Sequence, residues 1–322
     1  MTLEFDPDVL AEMGPLMAAR PAEAEPPPVG DVATRRITGR DTFAQLASVR
    51  APVEGVRTDD HVVPGTDGCT LTATWYRPAE IAPGDSTAAA LYLHGGGMIL
   101  GLEHTRELYD SVVRGYVAAS GVPMLMVDYR VAPEFPHPQP LDDCRASLRW
   151  LADHAGELGV DPRRLAVMGD SAGGGLAAGV CLAARDDGIP VAAQLLVYPM
   201  LDDRTTAADP LLTPFLTWTY DDNATGWQAL LGTRAGTADV PPYAAPARAV
   251  DLHGLPPTYL EVGELDVFRR EVLAYADALG RAGVSVELHQ YPGCPHASDL
   301  LAPNAGSTQR ALADRVRRLR SL

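Results

Sequence analysis

Short apolar runs alternate with longer helical stretches along this chain, and this alternation restricts its fold more than any other feature. The runs of strand length are Ala88–Leu93, Val122–Val127, Arg164–Met168, Ala192–Val197, Thr258–Val262 and Val284–Tyr291. Helical patterns lie at Thr105–Ala119, Leu141–Ala155, Ala172–Ala184, Arg269–Ala282 and Gln309–Leu319. Strands that are apolar on both faces and separated by helices are typical of a parallel sheet covered on both sides. We therefore predict an α/β fold with a mostly parallel central sheet flanked by helices.

Two segments do not follow this alternation of strand and helix patterns. Residues 1–55 begin acidic, contain Pro26-Pro27-Pro28, and show one short helical pattern at Thr42–Val49. Residues 202–249 hold clusters of Pro, Asp and Thr together with several aromatic side chains. An interruption of that length within a regular fold is usually a functional insertion rather than a bare loop. We predict that residues 56–201 and 250–322 form the main domain and that the other two segments lie at its periphery.

Composition excludes several classes of function. The 322 residues carry 26 basic and 42 acidic side chains, for a formal net charge of −16, and every basic residue is Arg. Without Lys, the chain can neither form a Schiff base nor bind a nucleotide through a P-loop lysine. The negative charge repels phosphate backbones, so no nucleic-acid partner is expected.

Neither membrane insertion nor a bound metal is predicted. Apolar stretches such as Leu176–Ala184 are too short to span a bilayer, and the acidic N-terminus does not resemble a signal peptide. The four cysteines are widely spaced and form no Cys-x-x-Cys pair, so neither a zinc site nor a redox motif is indicated. We expect reduced thiols in a cytoplasmic protein without a cofactor.

The strongest signal for chemistry is the motif Gly169-Asp170-Ser171-Ala172-Gly173, placed between a predicted strand and an Ala-rich helix. A serine on such a sharp turn needs small neighbours, because its backbone is strained and adjacent elements approach closely. The helix that follows directs its N–H groups toward charge that develops near the serine. The alternative is an ordinary Gly-rich turn between strand and helix. We favour Ser171 as a nucleophile.

A second signal is the run His94-Gly95-Gly96-Gly97 directly after the strand Ala88–Leu93. Consecutive glycines let backbone N–H groups turn toward one point, as an oxyanion hole requires. Gly-rich loops also bind phosphates, but the nucleotide-binding patterns that would support this alternative are absent. Gly95, Gly96 and Gly97 are therefore candidate oxyanion donors, and we expect His94 to be structural.

A serine nucleophile requires a base and an acid, which are expected near the ends of later strands. His296 lies in a loop after the last predicted strand, whereas His289 lies within that strand, so we prefer His296 as the base. Asp266 and Glu264 both follow the strand Thr258–Val262. We prefer Asp266 as the acid, although it could instead cap the next helix.

Taken together, these motifs resemble those of the hormone-sensitive-lipase-like (bacterial type IV) carboxylesterases. The resemblance covers about residues 60–320 and includes Asp128-Tyr129-Arg130, Tyr198-Pro199 and Pro295-His296 besides the motifs above. The order Ser171, Asp266, His296 is that of the α/β-hydrolases. The family implies an α/β-hydrolase fold with a helical cap, made from the N-terminal segment 1–55 and the insertion 202–249. It also implies an oxyanion hole formed by Gly96 and Gly97 with Ala172.

The resemblance implies a serine carboxylesterase that acts on small ester molecules with short-to-medium acyl groups, as a monomer or homodimer. Alternatives are an amidase or lactonase with the same triad, or a ligand-binding module on the same fold. Such modules lack the catalytic histidine, which His296 supplies here. We also expect an ion pair between Arg130 and Glu134. The remaining candidates for the substrate pocket are Met98, Asp170, Tyr198, Phe215 and Trp218.

Overall fold

An eight-stranded sheet forms the centre of the structure, a computed structural model that describes residues 3–18, 26–80 and 87–322. In chain order the strands are β1 (Val56–Pro64), β2 (Thr70–Pro78), β3 (Thr87–Leu93), β4 (Met124–Val127), β5 (Val160–Asp170), β6 (Ala193–Val197), β7 (Thr258–Gly263) and β8 (Val286–Tyr291). Their spatial order is β1-β2-β4-β3-β5-β6-β7-β8. β2 pairs antiparallel with β1 and β4, and all other neighbours are parallel. The predicted, mostly parallel sheet is confirmed.

The helices of the described residues pack mainly on the two faces of this sheet. They are α1 (Pro7–Ala18), α2 (Val32–Ser48), α3 (Leu102–Ser120), α4 (Gln139–Asp153), α5 (Ala172–Asp187), α6 (Tyr220–Leu231), α7 (Arg269–Arg281), α8 (Ser298–Leu301) and α9 (Gly306–Arg320). α5 is buried along most of its length, because it lies between the sheet and other parts of the chain. Among the described residues, no helix combines the length and the apolar character needed to cross a membrane.

α2 corrects the expectation of a short helix at Thr42–Val49. It begins ten residues earlier, at Val32, where the side chain of Asp31 accepts a hydrogen bond from the Thr34 amide and caps the helix. Arg35 and Leu46 are its only buried residues, so α2 shows almost no apolar stripe. Periodicity could therefore reveal only its C-terminal part.

α2 also explains why the expected ion pair between Arg130 and Glu134 is wrong. Arg36 of α2 pairs with Glu134 and donates hydrogen bonds to two backbone carbonyls near the glycine loop. Arg130 instead pairs with Asp143, at 2.7 Å, and with Asp67, also at 2.7 Å. Sequence proximity suggested a local pair, but partners distant in sequence occupy both side chains.

The N-terminal segment and the insertion contact each other directly. The buried guanidinium of Arg35 donates from Nε to Asp222 of α6 at 2.8 Å. The amide of Gly30 donates to Thr225 Oγ1 at 3.0 Å. These bonds join the two segments that were predicted to form a cap, while their division from a catalytic domain stays a prediction.

A buried arginine connects the C-terminal helix to the sheet. Arg315 of α9 donates from Nε to Glu261 Oε2 at 2.9 Å, and its Nη2 also bonds to Glu261. Its Nη1 donates to Asp299 Oδ2 at 2.6 Å and to Tyr116 Oη at 2.7 Å. Arg315 is only 1% exposed. A planar guanidinium can make all these bonds at once, whereas a lysine ammonium lacks this fork geometry.

Replacing Arg315 with Met should lower the free energy of unfolding by about 3–5 kcal/mol, because two buried carboxylates would lose their cation. Arg315→Lys should recover only part of this loss. Arg317→Met on the same helix is the control: Arg317 is 54% exposed, and its pairs should contribute at most about 1 kcal/mol. Urea unfolding at neutral pH measures all three variants. Equal losses for Arg315→Met and Arg317→Met would contradict this interpretation.

Candidate active site

Ser171 occupies a sharp turn between the end of β5 and the start of α5. Its backbone has φ 55° and ψ −121°, a strained conformation for a residue other than glycine. Neighbouring backbone groups hold this conformation: the Ser171 amide donates to Val197 O at 2.9 Å, and its carbonyl accepts from Gly175 N at 3.0 Å and from Met200 N at 2.9 Å. The turn therefore presents the hydroxyl at the carboxyl end of the parallel strands.

The glycines of the motif permit close backbone contacts around this turn. A Cβ atom on Gly173 would lie 2.1 Å from the carbonyl oxygen of Leu93 and 2.4 Å from that of His94. A Cβ on Gly169 would lie 2.3 Å from the carbonyl oxygen of Gly173. Any side chain at these positions would push α5 away from β3. The spacing Gly-x-Ser-x-Gly thus follows from steric requirements.

The structure brings Ser171, His296 and Asp266 together in a hydrogen-bonded chain. Ser171 Oγ lies 2.9 Å from His296 Nε2, and His296 Nδ1 lies 2.8 Å from Asp266 Oδ2. Because a carboxylate can only accept, Nδ1 carries the proton and Nε2 is free to accept the serine proton. Asp266 Oδ1 accepts from the Phe268 amide at 2.9 Å. The same carboxylate therefore also holds the turn before α7, but it does not cap the helix as the alternative required, because the N-cap residue is Phe268 and no side chain caps α7.

The competing acid and base have other partners. Glu264 accepts a hydrogen bond from the Gly293 amide at 3.0 Å. His289 lies on β8, where its Nε2 is 2.8 Å from Glu287 Oε1. Neither residue is part of the chain of hydrogen bonds that begins at Ser171.

Glu287, His289 and Asp314 form the one group among the described residues whose ligand atoms are close enough to hold a metal ion. The side chain of Arg317 pairs with both carboxylates of this group. The positive charge of Arg317 therefore already partners the two carboxylates. The group lies on β8 and α9 and is distinct from the Ser171 site.

Two aromatic rings position the imidazole of His296. Tyr198 and Phe268 both contact it edge-on, with ring centroids 4.9 and 5.0 Å away. The hydroxyl of Tyr198 donates to Asp299 Oδ1 at 2.7 Å, and burial raises the pKa of Tyr198. Tyr198 therefore supports the histidine and does not line the cavity described below, which corrects its expected place in the substrate pocket.

Hydrogen bonds within the glycine loop distinguish Gly95 from the other two candidate donors, Gly96 and Gly97. The Gly95 amide donates to Tyr109 Oη at 2.8 Å, so it is not available to an oxyanion. His94 Nδ1 lies 2.7 Å from the Gly95 carbonyl, and the Gly96 carbonyl accepts from two later amides of the loop. Since C=O and N–H of a trans peptide point in opposite directions, these bonds turn the amides of Gly96 and Gly97 away from the loop. Both glycines border the same cavity as Ser171.

Ala172 is the third candidate donor. It is the first residue of α5, where backbone N–H groups have no acceptor within the helix.

His94 is structural, as expected: it is fully buried, stacks on Tyr129 at 4.3 Å, and burial lowers its pKa to about 4. The imidazole is therefore neutral at pH 7.

Asp170 supports the glycine loop through hydrogen bonds with two tyrosines. Its Oδ1 accepts from Tyr92 Oη at 2.8 Å, and its Oδ2 accepts from Tyr109 Oη at 2.6 Å. Burial raises the pKa of Asp170 to about 6, although these two hydrogen bonds oppose the shift. Through Tyr109 the carboxyl group is connected to the Gly95 amide, so Asp170 links the serine turn to the glycine loop.

A cavity of about 310 Å³ opens beside Ser171 and His296. Asp170, Phe215 and Trp218 line it as expected, whereas Met98 is buried in the core and is not among the residues of its wall. Further walls come from the N-terminal segment, which sequence analysis did not identify; they are Phe5, Met13, Met17, Thr42, Phe43, Gln45 and Leu46. No motif marks these residues, and only three-dimensional contact places them at the site.

The chain is similar to known esterases in sequence and in structure. Residues 90–300 match the family Abhydrolase_3, described as alpha/beta hydrolase fold. Carboxylesterase NlhH of Mycobacterium tuberculosis is 37% identical over 287 residues, which cover 84% of this chain and 86% of that protein. Ethyl acetate hydrolase of Pseudomonas putida is 34% identical over 240 residues, covering 71% and 72%.

Solved structures agree with these relatives. A bacterial heroin esterase has a TM-score of 0.86 and 37% identity, covering 98% of this chain and 97% of that chain. A hyperthermophilic esterase from the archaeon Pyrobaculum calidifontis has a TM-score of 0.83 and 30% identity, covering 99% of both chains. The chain therefore belongs to the hormone-sensitive-lipase-like carboxylesterases of the alpha/beta hydrolase fold, a family of carboxylic-ester hydrolases.

Proposed function

We propose that this carboxylic-ester hydrolase cleaves neutral esters of short-to-medium acyl groups through a covalent intermediate on Ser171. The observation that carries the proposal is the hydrogen-bonded chain from Ser171 through His296 to Asp266, at the wall of an apolar cavity. A ligand-binding module would not need this chain. The intact contacts favour catalysis over simple binding.

In the first step His296 Nε2 takes the proton of Ser171 Oγ, and the oxygen attacks the ester carbonyl carbon. The negative charge that develops on the carbonyl oxygen is stabilised by the amides of Gly96, Gly97 and Ala172. The tetrahedral intermediate collapses when His296 returns the proton to the leaving alcohol. An acyl group then remains on Ser171.

In the second step water replaces the alcohol. His296 takes a proton from the water, which attacks the acyl carbon. The second tetrahedral intermediate then collapses, His296 returns the proton to Ser171 Oγ, and the acid is released. Asp266 keeps the imidazole in the required tautomer and stabilises its cation in both steps. The N-terminal end of α5 adds positive potential close to the developing oxyanion.

The cavity wall indicates the chemistry of the substrate. Among the described residues that line it, Asp170 is the only carboxylic acid, His296 is the only histidine, and none is Arg. Burial of a charged acyl group there would lack a partner, so a neutral ester fits best. The relative named ethyl acetate hydrolase supports this preference, since ethyl acetate is a neutral ester. A monomeric or homodimeric state and a cytoplasmic location stay predictions.

Ser171→Ala should abolish ester hydrolysis, because it removes the hydroxyl that lies 2.9 Å from His296 Nε2. A phosphonate probe should label the native protein at Ser171 and leave the variant unlabelled, as measured by mass spectrometry. Circular dichroism provides the control that the variant folds. Equal labelling of both proteins, or no labelling of the native protein, would refute the proposed nucleophile.

Asp266→Asn should lower kcat by about 10³- to 10⁴-fold, because an amide no longer holds His296 in the productive tautomer. The matched control is Glu264→Gln, which changes the neighbouring carboxylate that accepts from Gly293. We expect this control to retain kcat within about threefold. Steady-state kinetics on one soluble ester measure both variants, and a larger loss for Glu264→Gln would reassign the acid.

A series of acyl esters from two to sixteen carbons should give its highest kcat/KM at the short-to-medium end, because the cavity is only about 310 Å³. Matched amides should react much more slowly. Activity confined to long chains, with activation at a lipid interface, would instead indicate a lipase. Comparable rates on amides would favour the amidase alternative.

A further inference from the structure

Part of the insertion runs along the cavity wall between the proposed base and the glycine loop. The residues Pro214–Trp218 all line the cavity. The next residue, Thr219, forms a capping box with Asp222 at the start of α6, and Asp222 also accepts the hydrogen bond from Arg35. The segment is therefore anchored firmly at its C-terminal end.

On one side this segment holds the backbone of His296. Thr217 Oγ1 donates to the His296 carbonyl oxygen at 2.7 Å. The following residue, Ala297, has φ 56°, which turns this carbonyl out of the hydrogen-bond pattern of α8. The amides that begin α8 donate to the carbonyls of Pro295 and Ala297 instead. Thr217 thus donates a hydrogen bond to the His296 carbonyl, which the left-handed conformation of Ala297 leaves outside the hydrogen bonds of α8.

On the other side the insertion contacts the glycine loop. A Cβ on Gly97 would lie 2.2 Å from Cη2 of Trp218, so the indole ring packs directly on this glycine. A Cβ on Gly226 of α6 would lie 2.5 Å from the Gly97 carbonyl oxygen. The same part of the chain therefore touches both the proposed base and a proposed oxyanion donor.

We infer that Thr217 is a positioning residue, which holds the His296 backbone so that Nε2 stays within hydrogen-bond reach of Ser171. The inference rests on the proposed function, since it assigns the proton transfer to His296. Thr217 acts on the histidine and not on the reacting ester carbonyl. Its hydroxyl should therefore affect kcat more than KM. A misplacement of about 1 Å can lower a catalysed rate by about 100-fold.

The decisive variant is Thr217→Val, which removes the hydroxyl and keeps the branched shape of the side chain. We expect kcat to fall by about 10- to 100-fold while KM changes less than about threefold. The rate of phosphonate labelling at Ser171 should fall in parallel, because labelling also requires His296 to accept a proton. Thr217→Ser retains the hydroxyl and should restore kcat to within about threefold of the native value.

Thr213→Val provides the matched control. Thr213 Oγ1 also donates to a backbone carbonyl of the insertion, that of Asp209 at 3.0 Å, but it does not contact His296. This variant should keep the native kcat. If Thr217→Val does not fold, Thr217→Ala is measured in the same way.

Three outcomes would overturn the role of Thr217: equal kcat for Thr217→Val and Thr213→Val, equal impairment by Val and Ser, or a change in KM alone. Failure of the native protein to be labelled at Ser171 is a different result. It would overturn the proposed function itself. The two kinds of failure are therefore distinguishable.

Discussion

The close backbone contact at Gly173 is the constraint on which the rest of the site depends. Only an absent side chain lets the first turn of α5 approach the carbonyl oxygens of Leu93 and His94. This approach places the Ser171 turn beside the loop that follows β3, the neighbouring parallel strand. Asp170 then reaches Tyr109, and Tyr109 binds the Gly95 amide. The proposed nucleophile and the proposed oxyanion donors thus lie side by side because two backbones can touch.

A second constraint is a group of buried charged side chains that is connected to His296 through Tyr198. Arg315 binds Glu261 and Asp299, and Asp299 accepts from the Tyr198 hydroxyl whose ring contacts His296. Although burial alone would raise it, the pKa of Asp299 is lowered by Arg315. The absence of Lys is relevant here, since this site requires a planar guanidinium. The fold uses the geometry that Arg provides, since Arg315 bonds to three side chains at once.

Local sequence patterns predicted the strands and helices that are continuously buried. The other elements and the ion pairs depend on contacts between residues that are distant in sequence. The strands β3, β6 and β7 are buried on both faces, so they were recognisable within a residue or two. Ser171 and His296 were proposed as nucleophile and base because each follows a strand in a short motif. α2 was recognised only in part, because a helix without an apolar stripe shows no periodicity. The pairing of Arg36 with Glu134 bridges α2 and the loop after β4, which no local pattern reveals.

The insertion contacts both the cavity and the proposed base. Phe215 shapes the cavity and packs edge-on against Phe5 of the N-terminal segment, with ring centroids 5.2 Å apart. Two residues later, Thr217 binds the His296 carbonyl, and Trp218 then covers Gly97. Substitutions that reshape the pocket at Phe215 therefore act on a segment that also supports the base. The shape of the cavity and the position of the proposed base are therefore connected through the backbone of these few residues.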